Sequence, residues 1–255
     1  CQSAALPNRL YIRDRSGFLT DVSHAAGVDW LEPTYGVLFL DLDNDGDQDL
    51  ALSIDSEVML MSNDGQGNFT RRALLQLSQP GYSLAAADFD IDGDLDIYAC
   101  VYYSEKSKPG ELAHPLPFAD ATNGGRNVLW RNDDTSESEW QFSDATDEVG
   151  LGENNNRWSF AASWEDYDND NDMDLYVAND FGRNNLYRND GGRFRDVAAS
   201  AGVEDGSFGM SVAWADANRD GWMDLYVSNM FSAAGNRVTF QRKFKDGISS
   251  EQKEQ

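Results

Sequence analysis

Basic residues, histidine and cysteine are scarce in this sequence, and each shortage excludes a class of function. The 20 Lys and Arg residues are outnumbered by 45 Asp and Glu residues, so the formal net charge is -25. A chain with this charge repels nucleic acid and anionic membrane surfaces, so cations are its natural partners. With two histidines and two cysteines, neither a disulfide framework nor a Cys and His metal cluster is present.

Long apolar runs are also missing. No run approaches the roughly 18 residues that cross a bilayer, and no basic and then apolar signal segment opens the sequence. Cys1 leaves two interpretations open: the lipid-carrying first residue of a matured bacterial lipoprotein, or a sequence boundary without function. Cys100 lies in a strand-like stretch and is predicted to be a buried free thiol.

What the sequence does contain is a repeated acidic stretch. Four segments fit the pattern D-x-[DN]-x-D-[GN]-x-x-D, and together they hold 18 of the 45 acidic residues. Apolar residues alternate on both sides of each segment, which predicts a strand that enters and a strand that leaves. We call the segments loops 1 to 4; they are residues 41–49, 88–96, 166–174 and 216–224.

A second element recurs between the loops and is predicted to be a hairpin. Each copy has a strand that runs into a turn of Asn, Asp and Gly residues, followed by a strand that opens at Phe. The copies lie at residues 8–18, 58–69, 127–134 and 184–194.

The spacing of the repeat predicts an all-β fold, a β-propeller of four-stranded blades. Loop starts are 47, 78 and 50 residues apart, so the middle interval carries an insertion of about 30 residues, at 104–126. A repeat of about 40 to 50 residues with about four strands is typical of a propeller blade. We predict one propeller domain or fragment over residues 1–255. Its units are 8–56, 57–103, 127–183 and 184–235, with 236–255 as the start of a fifth blade or a tail.

The loops carry the residue types of a calcium site. Carboxylates at the first, third and fifth positions of a tight loop project toward one centre, and the ninth-position Asp is expected to close the shell. Oxygen ligands without His or Cys select Ca²⁺ over zinc or copper. The seventh position would supply its backbone carbonyl, so its side chain is free to vary. The sixth position needs a left-handed backbone, which Gly or Asn tolerates.

The prediction is therefore about four bound Ca²⁺ ions, one in each loop. The predicted ligands are Asp41, Asp43, Asp45, Asp47 and Asp49 in loop 1; Asp88, Asp90, Asp92, Asp94 and Asp96 in loop 2; Asp166, Asp168, Asp170, Asp172 and Asp174 in loop 3; and Asp216, Asn218, Asp220, Trp222 and Asp224 in loop 4. Loop 4 has Asn in place of its third-position Asp and is predicted to bind most weakly.

An EF-hand is the main alternative among calcium motifs, and the sequence excludes it. That motif needs a bidentate Glu at the twelfth position and a helix on either side. The twelfth positions here are Leu52, Ala99, Val177 and Val227, whose side chains cannot coordinate a metal.

The combined pattern resembles the FG-GAP or VCBS repeats of integrin-α-like propellers. The loops and the N-x-L-Y-R-N-x-G-x-F-x-D-V pattern carry this likeness over about residues 8–240, and residues 184–203 look especially like bacterial relatives of cartilage acidic protein (ASPIC/UnbV type). The resemblance implies a calcium-stabilised propeller, usually of about seven blades, on secreted or cell-surface proteins. Four visible blades leave two expectations: a segment cut from a longer protein, or a ring completed by self-association.

We therefore expect a non-enzymatic module for adhesion or for recognition of a protein or glycan. Its expected location is extracellular, at the cell surface or periplasmic, where Ca²⁺ would keep the blades rigid. The insertion 104–126 is either the specific recognition segment or a surface elaboration.

Two carbohydrate-active alternatives remain open. A polysaccharide lyase would need a base and a cationic clamp, and His114 lies in the insertion near Lys106, Lys108 and Arg126. A lectin would use aromatic platforms, although aromatic residues at alternating strand positions favour the core. The candidate platforms are Trp130, Trp158, Trp164, Trp214 and Trp222.

Overall fold

Antiparallel strands dominate the chain, of which the computed structural model describes residues 6–103, 114–117, 120–136 and 138–230. Cys1, Lys106, Lys108 and the predicted tail 236–255 lie outside these residues. The strands follow one another in chain order within each sheet, so neighbours in sequence are neighbours in the sheet.

In the part of the chain that the structure describes, a two-stranded hairpin is followed by three four-stranded sheets and a two-stranded sheet. The hairpin contains β1 (Tyr11–Arg13) and β2 (Leu19–Asp21). Sheet 1 contains β3 (Thr34–Leu40), β4 (Asp49–Ile54), β5 (Glu57–Asn63) and β6 (Phe69–Gln76). Sheet 2 contains β7 (Gly81–Ala87), β8 (Asp96–Val101), β9 (Val128–Asp134) and β10 (Gln141–Asp144). Sheet 3 contains β11 (Ser159–Glu165), β12 (Asp174–Asn179), β13 (Asn185–Asn189) and β14 (Phe194–Asp196). After the short helix α1 (Ala198–Ala201), sheet 4 contains β15 (Gly209–Ala215) and β16 (Asp224–Asn229).

Each acidic loop joins the first and second strands of one sheet. The ninth-position Asp pairs with the residue just before its loop, as in the Leu40 and Asp49 pair of sheet 1. The second strands β4, β8 and β12 are buried along their whole length because they have a strand on each side and packed residues on both faces. This explains why each of them is apolar at four or five of its six positions.

The core consists of layers between successive sheets. Sheets 1 and 2 share a cluster that includes Leu60 and Ile97, and sheets 2 and 3 share one that includes Leu129 and Leu175. Tyr176 belongs to a third cluster, between sheets 3 and 4. Cys100 is a free, fully buried thiol, as predicted, and its burial raises its pKa to about 12. The prediction of an all-β fold built from blade-like four-stranded sheets is confirmed.

The four predicted hairpins are present, as β1–β2, β5–β6, β9–β10 and β13–β14. The second strand opens at Phe in β6 and β14, as predicted, but β2 opens at Leu19 and β10 at Gln141. The predicted units 8–56, 57–103, 127–183 and 184–235 have the period of the sheets but a different phase. Each unit joins the last two strands of one sheet to the first two of the next. A repeat in sequence gives the length of a unit, whereas strand pairing decides where a unit begins.

The insertion lies between β8 and β9, and its described part contacts residues 156–158, which lead into β11 of sheet 3. Ala121 is fully buried. The backbone N–H of Gly124 donates to the carbonyl of Asn156 at 2.7 Å, and Trp158 Nε1 donates to Asn123 Oδ1 at 3.1 Å. This part of the insertion therefore helps to hold sheets 2 and 3 together. Among the described residues, no helix has the length and apolarity needed to span a membrane.

Candidate metal sites

The same hydrogen bonds shape all four acidic loops. In each loop, one oxygen of the first-position Asp accepts from the backbone N–H of the sixth residue, at 3.1, 3.0, 2.9 and 3.0 Å in loops 1 to 4. The fifth-position carboxylate accepts from the backbone N–H of the seventh residue, at 3.0, 2.9, 3.0 and 2.9 Å. The four loops therefore share one fold, in which backbone amides hold the carboxylates in place.

Two positions of each loop have a left-handed backbone. The sixth position was predicted to do so, and this is confirmed: φ is 92° at Gly46, 97° at Gly93, 75° at Asn171 and 87° at Gly221. The fourth position was not predicted: φ is 58° at Asn44, 60° at Ile91, 59° at Asn169 and 64° at Arg219. The two asparagines at this position were the available signal, since Asn tolerates this conformation better than most residues.

The ninth-position Asp fastens each loop to its sheet. In loops 1 to 3 this residue is buried, and both of its oxygens accept backbone N–H donors. One donor is the second loop residue, at 2.9, 3.1 and 3.1 Å, and the other is the third-strand Asn at 2.9, 2.9 and 2.7 Å. In loop 4, Asp224 is exposed and accepts one described hydrogen bond, from Ala217 N at 3.0 Å.

The structure brings three carboxylates together in each of loops 1 to 3. In each trio, one oxygen per residue lies within 4.8 Å of the others; the trios are Asp41, Asp43 and Asp45; Asp88, Asp90 and Asp96; and Asp166, Asp168 and Asp174. Within the described part of the chain, loop 4 forms no such trio. Its Asn218 Oδ1 accepts from Asp220 N at 2.9 Å.

Several loop oxygens are buried without a hydrogen-bond partner, and this fits a cation. They are Oδ1 of Asp41, Asp43, Asp47 and Asp168. A buried carboxylate oxygen without a partner is costly unless a counter-charge or metal compensates it. Because the potential ligand atoms around these oxygens are all oxygen atoms, Ca²⁺ suits loops 1 and 3 better than a softer metal.

Two of the seventh-position side chains make other contacts, whereas Oδ1 of Asp47 is one of the buried oxygens without a partner. Asp172 Oδ2 accepts from Gly191 N at 2.7 Å, and Asp94 Oδ1 accepts from Asn44 Nδ2 at 2.7 Å. The Trp222 side chain is 54% exposed. That the seventh position would supply its backbone carbonyl stays a prediction.

Burial raises the pKa of several carboxylates in loops 1 to 3, and neighbouring carboxylates add to the effect. For Asp49 the pKa rises to about 6, and for Asp96 and Asp174 to about 7, with desolvation as the largest cause. The pKa values of Asp43 and Asp168 are raised for the same first reason, followed by repulsion from neighbouring Asp residues. A bound cation would favour the charged form and lower all of these values.

These raised pKa values predict that the calcium-free protein is more stable at about pH 5 than at about pH 7.5. Between the unfolded and folded pKa values the folded chain holds more protons, so its stability falls as the pH rises through that window. Melting temperatures in calcium-free buffer check this, and the Asp96→Asn and Asp174→Asn variants should have flatter profiles. With saturating Ca²⁺ the melting temperature should instead be higher at about pH 7.5 than at about pH 5, because protons compete with the ion for the carboxylates. A calcium-free melting temperature that rises from pH 5 to pH 7.5 would contradict the assignment.

The groups considered for carbohydrate chemistry are mostly engaged in other contacts. Arg126 pairs with Asp144 at 2.8 Å and with Asp147 at 3.0 Å, and the exposed His114 accepts a hydrogen bond from Asn123 through its backbone carbonyl. Trp158 is buried among aromatic rings, and Trp130, Trp164 and Trp214 pack against the cores. Of the five candidate platforms, Trp222 alone is exposed.

Comparison with known families gives one match. Residues 41–99 and 166–227 match the model of the FG-GAP-like repeat. The first segment contains loops 1 and 2, and the second contains loops 3 and 4. No curated protein is significantly similar in sequence. The match supports the FG-GAP type for these repeats.

Proposed function

We propose, on the premise that its repeats are of the FG-GAP type, that this protein is an extracellular calcium-binding propeller module for adhesion or recognition. The observation that carries the proposal is the set of partnerless, buried carboxylate oxygens in loops 1 and 3, each beside further carboxylates. Such oxygens need a cation, and a solvated Asx turn would leave them in water.

The chain's own residues would hold the ion and fix the sheets. In loop 1, Asp41, Asp43 and Asp45, at the first, third and fifth positions, would bind it. In loops 2 and 3 the first, third and ninth positions would do so: Asp88, Asp90 and Asp96, and Asp166, Asp168 and Asp174. The bound ion would neutralise the repulsion among these carboxylates. Since each loop connects the first two strands of its sheet, a neutralised loop would stiffen one end of the blade.

An extracellular, cell-surface or periplasmic location suits this chemistry. Extracellular modules bind Ca²⁺ with dissociation constants of about 10⁻⁴ to 10⁻³ M, which millimolar calcium satisfies. The likeness of residues 184–203 to bacterial relatives of cartilage acidic protein supports the same interpretation.

Calorimetric titration of the whole chain with Ca²⁺ tests the metal part of the proposal. We expect about three or four ions to bind, with dissociation constants of about 10⁻⁴ M. Asp43→Asn and Asp168→Asn should each remove one binding event, whereas Asp133→Asn, a surface substitution outside the loops, should remove none. No heat of binding and no retained calcium at millimolar concentration would contradict the proposal.

The recognition part is tested by a screen against soluble glycans and extracellular proteins, with calcium and with chelator. We expect calcium-dependent binding without cleavage of the ligand. Cleavage of a glycan would replace the proposal with a lyase, and calcium-dependent binding to glycans alone would narrow it to a lectin. The Trp222→Ala variant shows whether the exposed ring of loop 4 contributes to ligand binding.

A further inference from the structure

Two asparagines connect the tips of neighbouring acidic loops. Asn44, the fourth residue of loop 1, donates from Nδ2 to the Asp94 side chain at 2.7 Å and to the Gly93 carbonyl at 3.3 Å. Asn169, the fourth residue of loop 3, donates from Nδ2 to the Gly221 carbonyl at 3.3 Å. Both asparagines therefore reach the sixth or seventh position of the next loop along the chain.

The equivalent connection between loops 2 and 3 is missing. The fourth residue of loop 2 is Ile91, whose side chain has no donor and is 63% exposed. Its φ of 60° matches the 58° of Asn44 and the 59° of Asn169, so the backbone presents the side chain in the same way. No side-chain hydrogen bond between loops 2 and 3, both fully described, takes its place.

The contacts at the base of the loops are the same for loops 1 and 2 as for loops 2 and 3. Asn132 Nδ2 donates to the Leu42 carbonyl of loop 1 at 3.2 Å, and Asn189 Nδ2 donates to the Phe89 carbonyl of loop 2 at 2.8 Å. These bonds tie loop 1 to sheet 2 and loop 2 to sheet 3 in the same manner. A difference in how strongly two neighbouring loops are connected must therefore come from the contacts at the loop tips.

We propose that Asn44 and Asn169 are positioning residues that couple cation binding within two pairs, loops 1 and 2 and loops 3 and 4. This inference rests on the proposed calcium binding. Asn44 lies between Asp43 and Asp45, so an ion held by those carboxylates fixes its side chain. The fixed amide then holds the Gly93 and Asp94 segment of loop 2, where a backbone ligand is expected. Occupation of either loop in a pair favours occupation of the other, because such coupling is reciprocal.

The experiment follows individual loops of the whole isotope-labelled chain by NMR during a Ca²⁺ titration. The amide of Gly93 reports on loop 2 and that of Gly221 on loop 4, since each donates to the first-position Asp of its own loop at 3.0 Å. The Asp43→Asn substitution removes the proposed Ca²⁺ site of loop 1. It is made in two backgrounds, the wild-type chain and the Asn44→Gly variant. Glycine keeps the left-handed backbone and removes only the side chain.

The midpoint is the Ca²⁺ concentration at which the amide signal has changed by half. In the wild-type background, Asp43→Asn should raise the midpoint at Gly93 by about 3- to 10-fold, which corresponds to the free energy of one ordinary hydrogen bond. In the Asn44→Gly background it should raise that midpoint by less than about 2-fold. The matched control is Ile91→Gly, which makes the same backbone change without removing a donor. It should leave the loop 3 midpoint, read from the Asn171 amide, unchanged.

The second pair provides an independent test if Asn44→Gly is poorly folded: Asp168→Asn should shift the Gly221 midpoint only when Asn169 is present. If the Gly93 amide responds to calcium but its midpoint is unchanged by Asp43→Asn, the coupling is wrong, whereas the proposed metal sites are still supported. If no loop amide responds to calcium in the wild-type chain, the proposed function fails, and the coupling fails with it.

Discussion

Removal of calcium is expected to lower the melting temperature of this protein by about 20 °C, the largest effect that we predict. A ligand present at about 100 times its dissociation constant stabilises the folded state by about 2.7 kcal/mol per site, and three or more sites add. In a domain of this size, each kcal/mol corresponds to about 2–4 °C. Without the ion, the carboxylates of each trio repel one another and their buried oxygens have no partner.

The measurement is differential scanning calorimetry in about 10 mM Ca²⁺ and after exhaustive chelation, at constant pH and ionic strength. Mg²⁺ is the matched control, because it demands a tighter octahedral shell and should restore only a small part of the loss. A change of less than about 3 °C on chelation, roughly 1 kcal/mol in total, would show that the loops are acidic turns and not metal sites.

Asp174→Ala is expected to destabilise the calcium-bound protein by about 4 kcal/mol, the second largest effect. Asp174 is buried, and its two oxygens accept from Tyr167 N at 3.1 Å and from Asn189 N at 2.7 Å. Alanine would leave both donors buried and unsatisfied, and each such group costs about 1–3 kcal/mol. The comparison is made with calcium because the ion offsets the cost of burying the Asp174 charge.

Asp224→Ala is the matched control, at the same loop position in sheet 4. Asp224 is exposed and accepts a described hydrogen bond only from Ala217 N. Urea unfolding should therefore give a loss below about 1 kcal/mol for this variant, since water can reach the freed donor. Equal losses for the two variants would mean that the ninth position acts only as a metal ligand and does not fasten the loop to its sheet.

Much of the candidate site could be predicted because its determinants are contiguous. The first, third and fifth carboxylates and the left-handed sixth residue lie within one turn, so their types predict a carboxylate cluster and its backbone conformation without a tertiary structure. The ninth position replaces the fifth in the clusters of loops 2 and 3. The hairpins were equally local, since a turn of Asn, Asp and Gly residues and the Phe that follows it are encoded within a dozen residues. The phase of the units was not local, because it depends on which strand pairs with which.

The sequence by itself therefore determined the strand and loop order and the acidic, oxygen-rich character of the loops. Only the tertiary structure decided that the ninth-position Asp of loops 1 to 3 is buried and holds its loop to the sheet through hydrogen bonds, and that Asn44 connects two loops. It also decided that Asn189 bonds to the carbonyl of Phe89, 100 positions away. The physical reason is that alternation and turn chemistry act between near neighbours in the chain. Contacts between sheets, in contrast, join residues whose proximity exists only after the sheets have packed.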